Sequence, residues 1–251
     1  MSESSRELAL KTIKQNISKH GRHIYLVSGG PTPRYGYTIG MRESLGVELV
    51  LAGSALFGAE EVGQILNHLA ESLKPKASLT DATLKVEGCG RFSFREVDPS
   101  WSTKMLLGAY DYYGSTKVAA FQVVPDEPHW TVDVPDMSRH WTAADEPVWQ
   151  WLYEPWQYAI PSLAITDIRA LRGAQITEAS RWEEDRWELF AGNGPDVPDE
   201  ETRVVPLGTL VAADPSLRPV VDLSVGTGLW RVAGSRWNHW TQSTDSSPEP
   251  G

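Results

Sequence analysis

The stretch RYGYTIGM, residues 34–41, places two tyrosines, two glycines and a threonine within eight positions. In an extended chain Tyr35, Tyr37, Ile39 and Met41 point to one side, and Arg34, Gly36, Thr38 and Gly40 to the other. One face is bulky and its reverse is nearly bare. Glycine inside a strand marks a close approach by another group, either a ligand or a packed neighbour. HIYLVS, residues 23–28, precedes this stretch across GGPTP, so the two read as a hairpin. VELVLAGS, residues 47–54, follows; it is apolar at nearly every position, the mark of a strand covered on both faces and central in its sheet.

Helical spacing surrounds this β-rich segment. Ser4 and Glu7 form a capping-box pattern ahead of Leu10, Ile13 and Ile17, which predicts a helix over about 5–19 ending at Gly21. Val62, Ile65, Leu66, Leu69 and Leu73 form the stripe of a helix over 58–73, and that helix favours packing over a ligand on the bare face of RYGYTIGM. RFSFREV, residues 91–97, alternates as a strand. Asp98-Pro99 then opens a helix with Leu106, Ala109, Tyr110 and Tyr113 on one stripe and Gly114 at its exit. KVAAFQVVPD, residues 117–126, reads as a further strand ending at Pro125.

From 126 to 161 the periodicity fails while tryptophan and proline accumulate. Five tryptophans between 130 and 156 carry too much apolar surface to leave in water, so an ordered, irregular connection is expected. AQITEAS and RWELFAG then read as strands, VPLGTLVAADPSL as a short helix or turn, and GLWRVA as a late strand. The fold class is α+β: two modules, each a mixed or antiparallel sheet packed with helices. Their expected bounds are 5–142 and 162–241, joined by 143–161, with a disordered tail over 242–251.

The formal charge of −10 is unevenly distributed. Residues 1–145 hold 17 acidic and 15 basic side chains, while 146–251 hold 16 acidic and 8 basic ones and no lysine. Such a surface disfavours nucleic acid and anionic membrane and attracts cationic partners. No apolar run approaches the roughly 20 residues of a spanning helix. The first residues lack the apolar core of a secretory signal, and a single cysteine, Cys89, suits a reducing compartment, so a cytoplasmic location is expected.

No zinc-protease helix, paired C-x-x-C, nucleophile elbow or calcium loop is present. GAYDYYGSTK imitates a phosphate loop only superficially, with its serine and threonine on the wrong side of the lysine. His20 and His23 in HGRH lack a recognisable third ligand. No catalytic residue, metal site or cofactor is therefore assigned. Polar groups in apolar strands leave one candidate ligand site, Tyr37, Thr38, Glu48 and Gln122, for which the competing reading is a buried hydrogen-bond network.

The ordered series HGRHIYLVSGGPTPRYGYTIGM, VELVLAGS, ILNHLA and AAFQVVPDEPHW resembles domain-of-unknown-function family 4262 over about residues 8–142. The resemblance departs at His23, at Met41 and before Pro125, where the family commonly carries an aromatic, a leucine and a tryptophan. It implies no settled activity. Residues 185–232 in turn resemble domain-of-unknown-function family 2185, the immunity-protein type 33 domain, through Trp187, Phe190, Gly192, Asp214, Pro215, Gly226 and Trp230.

That second resemblance implies binding to a bacterial toxin and blocking it. The expected function is thus non-catalytic: an immunity protein meeting a basic toxin through Asp196, Asp199, Glu200 and Glu201, with Trp182 and Trp187 as aromatic anchors. The alternative is a small-molecule sensor or metabolite-modifying enzyme with its cleft in the first module. The sequence leaves the oligomeric state open.

Overall fold

The computed structural model describes residues 3–75, 78–153 and 162–242. The Ser4 side chain, Trp156 with the rest of 154–161, and the tail beyond 242 lie outside the described residues. The fold is α+β, built on two six-stranded mixed sheets.

The first sheet comprises β1 (His23–Val27), β2 (Tyr35–Ile39), β3 (Glu48–Ala52), β4 (Thr83–Val86), β5 (Gly90–Glu96) and β6 (Ala120–Pro125), in the order β1-β2-β3-β6-β5-β4. All neighbours are antiparallel except β3 and β6. Both are central, and every residue of β3 is buried. The sheet carries α1 (Glu3–His20), α2 (Arg42–Leu45), α3 (Ala59–Ser72), α4 (Pro99–Met105) and α5 (Leu107–Tyr113).

Helix α3 fills the bare side of RYGYTIGM. A Cβ at Gly36 would sit 2.7 Å from Leu26, 3.0 Å from Val62 and 3.1 Å from Leu66, so this position accepts no side chain without repacking. Glu61 starts the helix by accepting from Gly58 N–H at 2.7 Å. Val62, Ile65, Leu66 and Leu69 are buried against the sheet. Tyr35, Tyr37 and Ile39 face the opposite core, under α1 and α5. Met41 does not follow them. The strand ends at Ile39, Gly40 turns with φ +110°, and Met41 enters the α3-side core.

Three further departures have local causes. The single helix expected after Asp98 breaks at Leu106, whose backbone (φ −93°, ψ 37°) leaves helical space and separates α4 from α5. Asp98 does cap α4, accepting from Ser100 N–H at 2.8 Å. Strand β4 and the one-turn α2 escaped the periodicity reading because each is four residues long and largely exposed.

The second sheet comprises β7 (Leu163–Asp167), β8 (Glu178–Glu183), β9 (Arg186–Phe190), β10 (Thr202–Pro206), β11 (Thr227–Trp230) and β12 (Asn238–Thr241), in the order β10-β7-β9-β8-β11-β12. Only β7 and β9 are parallel. Helices α6 (Ile168–Leu171), α7 (Leu207–Ala213) and α8 (Arg218–Val221) accompany it. Ala164, Trp187, Leu189, Val205 and Leu229 point into the core on one face.

The described part of the connection after β6, residues 126–153, is irregular, with short 3-10 turns at Glu127–His129 and Pro147–Leu152. It is stitched to the first sheet by side chains. Gln122 Nε2 donates to Pro135 O at 2.7 Å, Met137 N–H donates to Gln122 Oε1 at 3.2 Å, and Trp101 Nε1 donates to Arg139 O at 3.0 Å. Trp149 is wholly buried; its Nε1 donates to Asp133 O at 2.9 Å, and its ring meets Tyr35, Trp101 and Trp151. One apolar cluster therefore runs from Ile13 through Trp149 to Leu229, joining the two sheets.

Glu146 braces this connection by accepting from Asp136 N–H at 2.8 Å. Burial, then its neighbours Asp136 and Asp145, raise its carboxyl from 4.5 to about 7. The folded chain thus holds a proton that the unfolded chain releases, and the stabilisation is complete below pH 4.5 and lost as pH rises through about 7. Glu146→Gln keeps the acceptor and removes the charge. Its melting temperature should match the parent's at pH 4.5 and exceed it at pH 8, which thermal unfolding at the two pH values reads directly.

Candidate functional site

Glu48 opens β3 and is completely buried. Five donors converge on its carboxylate. Thr38 Oγ1 donates at 2.6 Å, the backbone N–H groups of Gly40, Met41 and Arg42 at 3.1, 3.4 and 3.2 Å, and the Tyr113 hydroxyl makes a short bond. Burial pushes this carboxyl above its ordinary range, against the lowering pull of Thr38, Tyr113, Gly40 and Met41. Thr38 Oγ1 also accepts from Leu49 N–H at 2.8 Å. Tyr113 is itself held from outside by the Arg42 guanidinium, 5.3 Å from its ring centre. The group ties the β2–α2 turn, the start of β3 and the end of α5 into one unit.

The four candidate ligand residues therefore separate. Thr38 and Glu48 bond to each other, with their polar atoms occupied by the protein. Gln122 is fully buried, and both ends of its amide are taken by Pro135 and Met137. Tyr37 is the member that borders a cavity, a space of about 180 Å³ beneath α1; its hydroxyl oxygen accepts from Gly108 N–H at 2.9 Å. His20 and His23 lie beside an open depression of about 540 Å³, where His23 Nδ1 is 2.8 Å from Asn16 Nδ2. Among the described residues no group of three His, Cys, Asp or Glu is placed to hold a metal ion. Cys89 is buried, and burial raises its thiol.

In the second module the two anchor tryptophans fall on opposite faces of the sheet. Trp187 points inward at 3% exposure, with Nε1 3.4 Å from Val220 O and the Arg181 guanidinium 4.3 Å from its ring centre. Trp182 points outward at 38% exposure; its Nε1 donates to Glu188 Oε2 at 2.8 Å, and its ring meets Trp240 at 5.5 Å. Trp240 lies over Gly228, where a Cβ would come within 2.3 Å of its ring. Trp230, Leu163 and Val204 are also exposed, and alternation along their strands puts them on this outer face with Trp182. Asp196, Asp199, Glu200 and Glu201 are all exposed, and Asp196 lines a recess of about 440 Å³ with Glu178 and Trp230.

Several polar groups that organise this architecture were missed from sequence. Asp133 is buried in the connection and accepts from Thr131 Oγ1 at 2.5 Å and Ala55 N–H at 3.2 Å. Beside it Gly53 (φ +71°) would place a Cβ 2.1 Å from Asp133 O, and Ser54 adopts φ +65°, a conformation uncommon for a side-chain-bearing residue. Arg231 is buried: its Nε donates to Ile176 O at 2.8 Å, its NH1 donates to Ser216 Oγ at 2.9 Å, and its guanidinium lies 3.9 Å from the Trp237 ring centre. Only the apolar setting of Asp133 among Val132, Val134 and Pro135, and of Arg231 after GLW, hinted at burial; beside the near partners Thr131 and Trp237, the others (Ala55, Ile176 and Ser216) lie 15 to 78 positions away.

Residues 16–130 match the family model described as Domain of unknown function (DUF4262), which supports the resemblance read in the first module. No curated protein and no solved structure matches the chain. Among the described residues no helix is long and apolar enough to cross a membrane.

Replacing Glu48 with glutamine tests the role of the buried carboxylate. An amide presents an NH2 to three backbone N–H groups and to two hydroxyls that already accept from Leu49 and Gly40, so Glu48→Gln should lose about 3 kcal/mol of stability. Chemical denaturation measures that loss. Hydrogen exchange should show faster opening at Gly40 and Arg42 than in the parent.

Proposed function

We propose that this protein acts by binding rather than by catalysis, and that it holds a cationic protein partner on the outer face of its second sheet. The observation that carries the reading is the face itself. Trp182 and Trp230 stand exposed on it; the exposed carboxylates Glu183, Glu184 and Asp185 follow Trp182 in the chain, and Asp196, which shares a recess with Trp230, opens the loop that carries Asp199, Glu200 and Glu201. Arg186 is engaged by Glu188 at 3.1 Å, and Arg169 and Arg203 stand beside the acidic loop, against seven exposed carboxylates in the two segments. Aromatic side chains inside a charged rim are the composition of protein-binding patches, and the rim charges speed encounter with an oppositely charged surface.

The concrete form of this reading is immunity: the protein neutralises a basic bacterial toxin by covering it. The resemblance of residues 185–232 to immunity-protein type 33 domains and the acidic second half favour it. The buried state of Glu48, Thr38 and Gln122 weighs against a reaction centred on those groups. Trp187, packed in the core, contributes by shaping the sheet, and Trp182 makes the contact.

The test is co-purification of the tagged chain with the products of its neighbouring genes, followed by binding kinetics on the captured protein. Asp199→Lys, Glu200→Lys and Glu201→Lys together should slow association at least about tenfold at low salt, with the difference shrinking at high salt. Trp182→Ala should speed dissociation, equivalent to about 2 kcal/mol. A partner indifferent to both changes, or no partner retained at low salt, overturns the reading.

A further inference from the structure

Beneath α1 the first module has a part-open cavity of about 180 Å³, lined by none of the residues assigned to protein binding. Leu10 and Ile13 line one side, Tyr25, Tyr35 and Tyr37 another, and Met105 closes the end. The three phenol rings form a layered wall. Tyr25 and Tyr37 are 5.3 Å apart at 19°, and Tyr35 and Tyr37 are 6.2 Å apart at 15°. An apolar cavity of roughly 150 Å³ accommodates a benzene ring, so this one has room for a single ring with a small substituent.

The polar groups narrow the occupant further. Tyr37 Oη is buried and accepts from Gly108 N–H at 2.9 Å; among the described residues its own hydrogen has no acceptor. Burial raises the Tyr37 phenol above its ordinary range and that of Tyr35 to about 12, so both remain protonated donors at neutral pH. The Tyr35 hydroxyl has a distant acceptor in Met105 O at 3.4 Å. A buried donor with an unused hydrogen favours an occupant that brings an acceptor.

Arg6, Leu107 and Asp111 form the exposed rim of the cavity. Arg6 Nε and NH2 bond to Asp111 Oδ2 and Oδ1 at 3.0 and 2.7 Å, a two-pronged pair whose charges cancel. A charged ligand inside would lose its hydration without gaining an opposite charge. A flat, neutral ring suits both the wall and the rim.

We propose that this cavity binds a small, neutral, monocyclic aromatic molecule carrying one hydrogen-bond acceptor, an aryl ketone or aldehyde, with the ring against the tyrosine wall and the acceptor on the Tyr37 hydroxyl. The site is independent of the immunity reading and stands or falls separately from it. Gly108 is part of its construction, because a Cβ there would lie 2.8 Å from Tyr37 Oη and 3.4 Å from the Tyr25 ring.

The test is an NMR titration of the full chain with acetophenone, toluene and cyclohexanone. Acetophenone should bind with a dissociation constant on the order of 1 mM or tighter and perturb the cavity residues. Tyr37→Phe should weaken acetophenone about tenfold while leaving toluene unchanged. Ala9→Phe fills the cavity from the partly exposed helix α1 and should abolish binding of both with the melting temperature preserved; it serves also if Tyr37→Phe fails to fold. Absence of acetophenone binding, equal binding to a folded Ala9→Phe variant, or cyclohexanone binding as tightly as acetophenone overturns the proposal.

Discussion

Trp149 is the side chain on which the arrangement of the two sheets rests. It sits in a short 3-10 turn of the connection, donates its indole N–H to Asp133 O, and puts its ring against Tyr35 and Trp101 of the first module. The same turn packs on α7 of the second module. An indole buries on the order of 200 Å² and has one polar atom to satisfy, so a single residue both fills the junction and fixes its direction. Two hydrogen bonds extend the junction: the backbone N–H of Val132 donates to Leu171 O at 2.8 Å, and the Arg203 side chain donates from Nε to Leu56 O at 3.3 Å. The connection is thus a shared part of both cores, with the apolar cluster continuous through it.

Inside the first module a second constraint fixes the motif that dominates its sequence. A carboxylate at Glu48 would be prohibitive to bury alone, and five donors, three of them backbone, make its burial tolerable. That accounts for the glycine and threonine of RYGYTIGM. Thr38 carries one donor to the carboxylate, and Gly40 at φ +110° turns the chain so that successive N–H groups aim at it. Gly40 also has no space for a side chain, because a Cβ would lie 3.1 Å from both Gly21 O and Ile17. The tyrosines serve a different end. Their rings form the wall of the cavity under α1, and the hydroxyl of Tyr37 sets its polarity.

The two modules offer contrasting surfaces. The first has a part-open cavity with balanced charge at its mouth, suited by size and polarity to a small neutral molecule. The second has a broad face with exposed indoles and carboxylates, suited to a macromolecule.

Much of the fold was legible from pattern alone. Alternation and continuous apolar runs located β2, β3, β5 and β6, helical stripes located α1 and α3, and Asp98-Pro99 and Gly114 marked the ends of the α4–α5 region. Strands β7, β10 and β12 were not legible: β12 (NHWT) is polar and almost wholly exposed, β10 (TRVVP) offers two valines ahead of a proline, and β7 (LAITD) adjoins the irregular Trp/Pro-rich connection. The site was less legible still. Tyr37, Thr38, Glu48 and Gln122 read as one candidate ligand cluster, with a buried hydrogen-bond network as the competing reading, but the sequence could not say that Thr38 and Glu48 bond to each other while Tyr37 and Gln122 face other partners, or that Trp182 and Trp187 lie on opposite faces of one sheet. By itself the sequence determined the element types, the α+β class and the sign of the charge, since these depend on neighbours within a few positions. The tertiary structure alone decided which polar atoms are already satisfied, where Trp149 locks the connection and which phenol is left with a hydrogen to share, because each answer depends on groups tens of residues apart that meet only when the sheets close.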